Sequence, residues 1–311
     1  MSIYYKRNAM CDYAMGNSPQ SFYSAIGDLW ILLYGNKKDK APKMIAVVSE
    51  VDNITDYSRK APLPNEENAL GMAYKLINLY GDIAFISFRY IKGNFNECKD
   101  FYGNTITLDE LFLKYKNSGL DVINSSTKKY VNQYTSSGFH DWQRKELGYM
   151  IIATDFDLIG LNAKLEPEVV YELKRSKKYN WTPYPDDYNN FQLLYNFCQI
   201  ANIDFILVFN RYYENNNGTQ GDDLSIISAF YFVLDGLLFS YKQLGSFAPV
   251  DLLNKRILSV MRIKHKLCPY CRGTLVIKKG KYGKSDFYAC PNYNVSCNGY
   301  IASVNEVDKR L

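Results

Sequence analysis

The sequence predicts an α/β protein in which a mixed sheet is flanked by helices. Three observations lead to this fold class. Strand-like and helix-like runs alternate along residues 1–120, two adjacent strand-like runs at 149–175 precede a helix and further strands, and four of the seven cysteines lie between 268 and 297. We therefore expect four regions, namely an N-terminal α/β module at 1–124, a second α/β core at 125–250, a basic linker at 251–266 and a cysteine module at 267–311.

The N-terminal module is predicted from periodicity and capping residues. Pro19–Tyr34 has its large apolar residues at helical spacing, which predicts a core helix. Thr107 and Glu110 have the spacing of a capping box and predict a helix that begins there. This module has no site of comparable specificity, so we expect it to recognise substrate, to contact a partner protein or a second copy of the chain, or to elaborate the core. Strands at 44–51 and 82–91 and a helix at 69–79 complete the expected alternation.

Residues 149–175 place charged side chains within two apolar strands. Side chains alternate along a strand, so Asp155 and Asp157 are expected to share one face of the first strand, Tyr149–Leu161. Glu172 and Lys174 are expected to share one face of the second. The turn-rich segment between the strands can join them as a hairpin. We therefore expect carboxylates and an ammonium group to converge.

Such a cluster suits metal-assisted hydrolysis of a phosphodiester. Mg²⁺ is held by one or two carboxylates and several waters, and a substrate phosphate completes its shell. In this interpretation Asp157 and Glu172 supply the carboxylates and the Leu173 carbonyl is a further ligand. Lys174 orients or deprotonates the attacking water and offsets charge on the phosphate. The alternative is a surface ion pair at the end of a strand, but apolar residues between the charges favour a metal site.

The order of these residues resembles the motif of the PD-(D/E)xK nuclease superfamily, with Asp157 followed by Glu-Leu-Lys at 172–174. The resemblance implies a restriction-endonuclease-like core, catalysis with Mg²⁺ or Mn²⁺, and DNA as the substrate. It also implies roles for Glu146, in the predicted helix just upstream, and for Gln192, in the predicted helix at 189–200.

Two departures from the family pattern bear on these roles. Gln192 and Tyr195 resemble the Gln/Tyr pair of RecB-like members, with one residue fewer between them. The first motif has Asp155-Phe156-Asp157 without the usual Pro, so either Asp is a candidate metal ligand. The Leu-Ile-Gly run that follows favours Asp157.

The four C-terminal cysteines have the spacing of a zinc site. A CxxC pair presents two sulfurs to one ion, and a second pair, reached through a predicted hairpin, completes a tetrahedral shell. With four thiolates and no open position, the zinc is expected to be structural. The predicted ligands are Cys268, Cys271, Cys290 and Cys297.

The cysteine module resembles the zinc ribbons at the C-terminus of bacterial type IA topoisomerases, through its CPxC start, aliphatic strand, Lys/Gly turn, aromatic strand and Cys-Pro-Asn-Tyr run. The resemblance implies binding of DNA, notably of single strands. Lysines can pair with phosphates and aromatic rings can stack on bases. A protein-binding ribbon is the alternative, and we expect the ribbon to be separable by truncation near Met261. The predicted DNA-contacting residues are Lys278, Lys279, Lys281, Lys284, Tyr282 and Tyr288.

Composition limits the remaining classes of function. A net charge of +5 is too small by itself to indicate a nucleic-acid partner. There is no apolar run of about eighteen residues and no signal-peptide core, so we expect a cytoplasmic protein with no membrane partner. Two histidines argue against Ser-His-Asp catalysis. Neither a phosphate-binding Gly-rich loop nor a sequence repeat is evident.

The sequence therefore predicts a metal-dependent deoxyribonuclease whose zinc ribbon holds DNA, in defence against foreign DNA or in repair. An RNase on the same fold is one alternative. A catalytically inactive DNA-binding or scaffold protein is another, although the retention of Asp157, Glu172 and Lys174 argues against it.

Overall fold

The structure, a computed structural model, describes residues 8–123, 138–215, 220–280, 285–293, 295, 297 and 299–303. Within these ranges the chain forms two six-stranded mixed sheets, helices that pack on them, and a three-stranded sheet beside the C-terminal cysteines. The predicted α/β class, with mixed sheets and flanking helices, is confirmed at this level. None of the described helices is long and apolar enough to cross a membrane.

The helices and the strands are each numbered in chain order and have the following bounds. The helices are α1 (Ala9–Asn17), α2 (Ile54–Tyr57), α3 (Pro64–Tyr80), α4 (Leu108–Asn117), α5 (Gly138–Glu146), α6 (Tyr188–Ile200), α7 (Val250–Leu253) and α8 (Arg256–Lys264). The strands are β1 (Phe22–Tyr23), β2 (Leu29–Asn36), β3 (Pro42–Val51), β4 (Ala84–Ile91), β5 (Asn94–Lys99), β6 (Thr105–Thr107), β7 (Ile151–Asp155), β8 (Leu158–Leu161), β9 (Pro167–Ser176), β10 (Asp204–Glu214), β11 (Gln220–Asp235), β12 (Leu238–Phe247), β13 (Val276–Lys278), β14 (Phe287–Ala289) and β15 (Ile301–Ser303).

Each large sheet has one parallel strand pair near its centre. The first sheet has the order β6-β5-β4-β3-β2-β7, and its parallel pair is β3 and β4. The second sheet has the order β1-β8-β9-β10-β11-β12, and its parallel pair is β9 and β10. Parallel neighbours need a crossover connection, which α3 provides in the first sheet and α6 in the second.

The two sheets repeat one topology. Each half of the chain runs through a helix, an edge strand, a hairpin, a crossover helix and three further strands. The edge strands are exchanged, because β1 of the first half pairs with β8 and β7 of the second half pairs with β2, both antiparallel. The two halves share the order of their secondary-structure elements but not their amino-acid sequence, which is why no sequence repeat was evident.

This exchange bears on the predicted boundary at residues 124 and 125. Phe139 of α5 is buried in the core of the first sheet, although α5 follows the boundary in the chain. Met10 of α1 is buried against the second sheet. Each large sheet therefore packs against segments from both sides of the boundary at residues 124 and 125. Whether the predicted regions fold as separate units stays a prediction.

The predicted helix at Pro19–Tyr34 is wrong. This stretch contains the strands β1 and β2, and Leu33 of β2 pairs with Ile45 of β3. β2 lies between β7 and β3, and nearly all of its residues are buried. A strand that is apolar on both faces also satisfies helical spacing, which is why periodicity alone was misleading.

Other predicted elements of the first half are confirmed. The strands at 44–51 and 82–91 correspond to β3 and β4, and the helix at 69–79 belongs to the longer α3. The capping box at the start of α4 is formed, since the Glu110 amide donates to Thr107 Oγ1 at 3.3 Å and the Thr107 amide donates to Glu110 Oε2 at 2.8 Å.

One apolar core joins the two large sheets. It contains Ile31 and Val47 of the first sheet, Ile159 and Leu207 of the second, and Leu193 of α6, each of them buried. Because α6 contributes to this shared core, the helix is fixed beside β9.

The predicted linker at 251–266 folds as α7 and α8. Its side chains at Ile257, Leu258 and Met261 are buried against the second sheet. The segment is thus part of the core packing rather than a tether.

Arg262 of α8 connects the cysteine module to the second sheet. Its guanidinium is 1% exposed, and it donates to Asp204 Oδ2 at 2.7 Å, to Glu168 Oε1 at 3.0 Å and to the Pro269 carbonyl at 2.8 Å. Asp204 and Glu168 lie at the N-terminal ends of β10 and β9. A cut near Met261 would remove the arginine that pairs with both acids, so the ribbon is not cleanly separable at that position.

Candidate functional site

The chain passes from the first sheet to the second at Asp155, Phe156 and Asp157. β7 ends at Asp155, and β8 begins at Leu158 in the other sheet. The predicted continuous strand at Tyr149–Leu161 is therefore wrong, and the two carboxylates flank a switch point instead of sharing a strand face. Phe156 is buried in the shared core, whereas Asp155 is exposed and Asp157 is half-buried.

Glu172 and Lys174 lie on the face of β9 that looks toward α6. Val170 of the same face belongs to the shared core, and alternation along the strand places the two charged residues in line with it. Glu172 is only 3% exposed. Lys174 Nζ lies 2.8 Å from Glu172 Oε1 and 5.5 Å from the ring centroid of Phe191 on α6. The ammonium group is thus held between a carboxylate and an aromatic face.

Asp157 is joined to this strand by a backbone hydrogen bond. The Leu173 amide donates to Asp157 Oδ2 at 2.7 Å. The N–H and C=O of one strand residue point to the same side of the strand, so the Leu173 carbonyl is also directed toward the Asp157 side. The Cys11 thiol of α1 donates a hydrogen bond to the Asp157 carbonyl oxygen, with the two atoms 3.4 Å apart, and so ties α1 to the switch point.

Burial dominates the electrostatics of the cluster. Burial, and then the neighbouring Glu172 carboxylate, raise the pKa of Asp157 well above its ordinary value. Burial also raises the pKa of Glu172, although Lys174 opposes it. Burial alone would lower the pKa of Lys174, but Glu172 and Asp157 raise it. A buried and a half-buried carboxylate thus lie near one ammonium group, and a further positive charge would stabilise their ionised forms.

One oxygen of Glu172 is left without a hydrogen-bond partner. Oε1 pairs with Lys174, whereas Oε2 is buried and unpaired among the described residues. Leaving such an acceptor unsatisfied costs about 1–3 kcal/mol or more, so the oxygen is available to a ligand. Mg²⁺ or Mn²⁺ fits, because both accept carboxylate and carbonyl oxygens. In the described part of the chain only the cysteines form a compact set of three or more ligands, so waters and substrate oxygens would complete this shell.

Asp187 is an acidic group near the cluster that sequence analysis missed. It ends a short 3₁₀ turn at Pro185–Asp187, just before α6. The charge of Asp187 raises the pKa of Glu172 and of Lys174. The charge of Asp155 likewise raises the pKa of Asp157 and of Glu172. The only sequence signal for Asp187 was its position two residues before the predicted helix at 189–200.

The structure does not link the two helical candidates to the cluster by a described contact. Glu146 ends α5 and pairs with Lys145 at 3.3 Å. Gln192 is half-buried on α6, one residue after Phe191. Tyr195 packs its ring on Phe239, with centroids 5.5 Å apart. Catalytic roles for Glu146 and Gln192 stay predictions from the resemblance.

The first half has acidic residues at the positions that match Asp157 and Glu172. Asp28 directly precedes β2, whose first residue pairs with the residue before Glu50. In the second half Asp157 directly precedes β8, whose first residue pairs with the residue before Glu172. The equivalence follows from strand register and from the repeated topology.

In the first half, a lysine side chain pairs with Asp28, the counterpart of Asp157. Lys92 Nζ lies 3.0 Å from Asp28 Oδ2 and 3.4 Å from Asp52 Oδ1. Asp28 thus already pairs with a cation of the chain itself. Asp28 therefore offers an internal control for substitutions at Asp157.

The second candidate centre is formed by four cysteines whose sulfurs all lie within 4.8 Å of one another. Two Sγ–Sγ distances are 3.8 Å and 3.5 Å, close to the edge of about 3.8 Å in a tetrahedron with Zn–S bonds of about 2.3 Å. This geometry is consistent with a structural zinc ion. The four residues are Cys268, Cys271, Cys290 and Cys297.

Hydrogen-bond donors favour the thiolate form of Cys271, whereas burial raises the pKa of Cys268 and Cys290. Burial would raise the pKa of Cys271, but hydrogen bonds from Gly273 and Asn292 lower it to about 7. The Gly299 amide lies 3.3 Å from the Cys297 sulfur. Gly299 has φ = +85°, and a Cβ there would lie 2.2 Å from the Tyr293 ring, so only glycine fits this donor position.

The ribbon surface agrees only partly with the predicted DNA contacts. Lys278 and Lys279 are exposed. Tyr288 is 3% exposed and packs in the ribbon core, so its predicted stacking role is wrong. Among the aromatic residues of the module, Tyr270 and Tyr293 are 66% and 52% exposed. The remaining candidates Lys281, Tyr282 and Lys284 lie outside the described residues.

Comparison with known proteins gave no match to any family model, curated protein or solved structure. The functional argument therefore rests on the geometry of the chain itself.

Proposed function

We propose that this protein hydrolyses phosphodiester bonds in DNA with Mg²⁺ or Mn²⁺ at Asp157, Glu172 and Lys174. The observation that carries the proposal is the buried, unpaired Oε2 of Glu172 beside the Lys174 ammonium and the Asp157 carboxylate. Further support comes from the element order α5, β7, β8, β9, α6, β10 and from the spacing of the three residues along the chain.

Each residue has a distinct role in this proposal. Asp157, Glu172 and the Leu173 carbonyl would hold the metal ion, which supplies Lewis-acid activation of the phosphate and of a water. Lys174 is kept protonated by its two carboxylate neighbours, so it offsets negative charge on the phosphate and orients the attacking water. Asp155 and Asp187 add negative potential that favours a divalent ion.

The zinc ribbon serves a separate task in this proposal. Its four thiolates leave no open position on the metal, so zinc there is structural. The exposed Lys278 and Lys279 support a role in holding the phosphate backbone.

The proposal is tested by incubating the purified protein with linear, circular and single-stranded DNA and with RNA, each with Mg²⁺, Mn²⁺ or chelator. We expect metal-dependent DNA cleavage that Glu172→Gln and Lys174→Ala each reduce at least a hundredfold, while DNA affinity changes little and circular dichroism shows that both variants are folded at the assay temperature. The matched control is Asp28→Asn, which we expect to leave cleavage unchanged.

Three results would contradict the proposal. Cleavage of RNA but not of DNA would favour an RNase on the same fold. DNA binding without cleavage under any metal would favour an inactive DNA-binding protein. Cleavage that survives Glu172→Gln but is lost in Asp28→Asn would move the site to the first half.

A further inference from the structure

An exposed tyrosine with a fixed ring lies five residues after Lys174. Tyr179 is 77% exposed, in the loop that joins β9 to α6. The guanidinium carbon of Arg211, on the neighbouring β10, lies 3.6 Å from the Tyr179 ring centroid. One face of the ring is therefore covered by a cation, and the high exposure shows that the other face is open to solvent.

A second exposed tyrosine in the same loop has a similar arrangement. Tyr184 is 40% exposed, and Lys178 Nζ lies 5.1 Å from its ring centroid. Trp181 packs edge-on to the Tyr184 ring, with centroids 5.7 Å apart. The loop thus presents two rings, each fixed by neighbours of the same chain.

The loop has a rigid anchor in the core. Trp181 is 5% exposed and stacks on Phe209 of β10, with centroids 4.9 Å apart and the planes 8° from parallel. Phe209 pairs with Lys174 in the β9–β10 register. The anchor of the loop and the lysine of the candidate site are therefore strand neighbours.

We propose that Tyr179 and Tyr184 form a stacking platform for unpaired bases of a nucleic-acid strand whose backbone runs toward the cluster at Asp157, Glu172 and Lys174. The identity of the ligand as the enzyme's substrate rests on the proposed function. Exposed aromatic rings fixed by a cation on one face accept a base on the other, and stacking of this kind tolerates any base.

Apart from Arg211 and Lys178, which hold the two rings and stay in place when a ring is removed, the cations near the platform are paired. Arg175 pairs with Asp222 at 3.0 Å and Lys177 pairs with Glu214 at 2.7 Å, so these nearby cations are matched by acids. Binding through the rings should consequently depend weakly on salt, whereas binding through lysine–phosphate contacts depends on it steeply.

The test measures the affinity for a labelled single-stranded 20-mer without added Mg²⁺ or Mn²⁺, so that no cleavage is needed and the structural zinc stays bound. We expect Tyr179→Ala and Tyr184→Ala each to weaken binding about tenfold, with an unchanged slope of log K against log salt. Tyr179→Phe, which keeps the ring, should bind like the parent protein. The matched control is Tyr102→Ala, at a tyrosine of the first half that is 60% exposed.

A second readout reports stacking directly. A strand that carries 2-aminopurine should lose fluorescence when it binds the parent protein or Tyr179→Phe, and should keep more of it with Tyr179→Ala. Equal affinity and equal quenching in Tyr179→Ala and Tyr184→Ala would overturn the platform even if the protein cleaves DNA. Weaker binding by these variants would support it even if no cleavage is found.

Discussion

Glu172 illustrates why a functional carboxylate costs stability. One of its oxygens pairs with Lys174, and the other is buried without a partner among the described residues. Asp157, beside it, has a pKa raised by burial and then by the Glu172 charge. In the folded, metal-free protein the protonated form of each carboxyl group is therefore favoured more strongly than it is in the unfolded chain. A fold does not need such a pair, which is why we connect it with a ligand.

Asp157→Asn should therefore stabilise the metal-free protein at neutral pH. In the parent protein the folded state binds more protons than the unfolded state between the ordinary Asp pKa of about 3.9 and the raised pKa. The contribution of the Asp157 carboxyl group to the free energy of unfolding is thus greatest at low pH, and it is lost as the pH rises through the raised pKa. The amide cannot ionise and can still accept the Leu173 amide proton. Each unit of pKa difference corresponds to about 1.4 kcal/mol.

The measurement is the free energy of unfolding between pH 5 and pH 8, without added Mg²⁺ or Mn²⁺ and with the structural zinc retained. We expect the stability advantage of Asp157→Asn to grow with pH, and added Mg²⁺ to stabilise the parent protein more than the variant. Asp28→Asn removes a carboxylate that already has a lysine partner, so it should give no such gain. If Asp157→Asn were destabilising at every pH, the carboxylate would be serving the fold instead of a ligand.

At the scale of elements, the local pattern identified most strands and helices but not their partners. The capping box at Thr107 and the alternation in β9 are local features, and both were predicted correctly. β2 was mistaken for a helix because a strand buried on both faces has no alternation to detect. The break at Phe156 was missed, since only tertiary pairing sends β7 and β8 to different sheets.

The same distinction applies to the candidate site. Asp157, Glu172 and Lys174 could be found because a hairpin brings them together from adjacent stretches of chain. Asp187 was missed because its proximity depends on where α6 packs. Tyr288 was misassigned, since composition does not tell a packed ring from an exposed one.

Arg262 of α8 offers a test at the scale of elements. A chain that ends after Lys266 keeps the contacts of Arg262 with Asp204 and Glu168, whereas a chain that ends after Met261 leaves both acids without it. Breaking a buried pair from one side costs about 3–5 kcal/mol. We expect the 1–266 chain to fold with a slightly lower thermal midpoint, and the 1–261 chain to be strongly destabilised or insoluble.

Arg262→Met in the full-length chain is the companion variant, because it removes the charge but keeps the length of chain. It should reproduce most of the destabilisation of the 1–261 chain, as measured by thermal unfolding. Equal stability of the 1–266 and 1–261 chains would show that Arg262 contributes little to the link between the helix and the sheet.

At the scale of the whole molecule, the ribbon and the candidate site lie at opposite ends of the parallel strand pair. The ribbon is attached through Arg262 at Glu168 and Asp204, where β9 and β10 begin. Lys174 lies six residues further along β9 than Glu168, or about 20 Å at 3.3 Å per residue. We therefore expect a nucleic acid that touches both the ribbon and the site to span about that distance.

The last prediction follows from this separation. Lys278→Glu with Lys279→Glu should weaken binding to a duplex of 30 base pairs and flatten its slope of log K against log salt by about 0.9 for each phosphate that the ribbon no longer neutralises. A hairpin with a stem of four base pairs covers only about 14 Å at 3.4 Å per pair, so it should bind both proteins almost equally when it occupies the candidate site.

The matched control reverses Lys114 and Lys116, two exposed lysines on α4 of the first half. It makes the same change in net charge far along the chain from the ribbon, and zinc content should stay at one ion per chain in both variants. If the ribbon variant weakens binding of long and short substrates alike, or no more than the α4 variant does, then the two lysines act through overall charge and the ribbon does not hold DNA. Weaker binding confined to the long duplex would place the substrate along β9 and β10, with its far end on the ribbon.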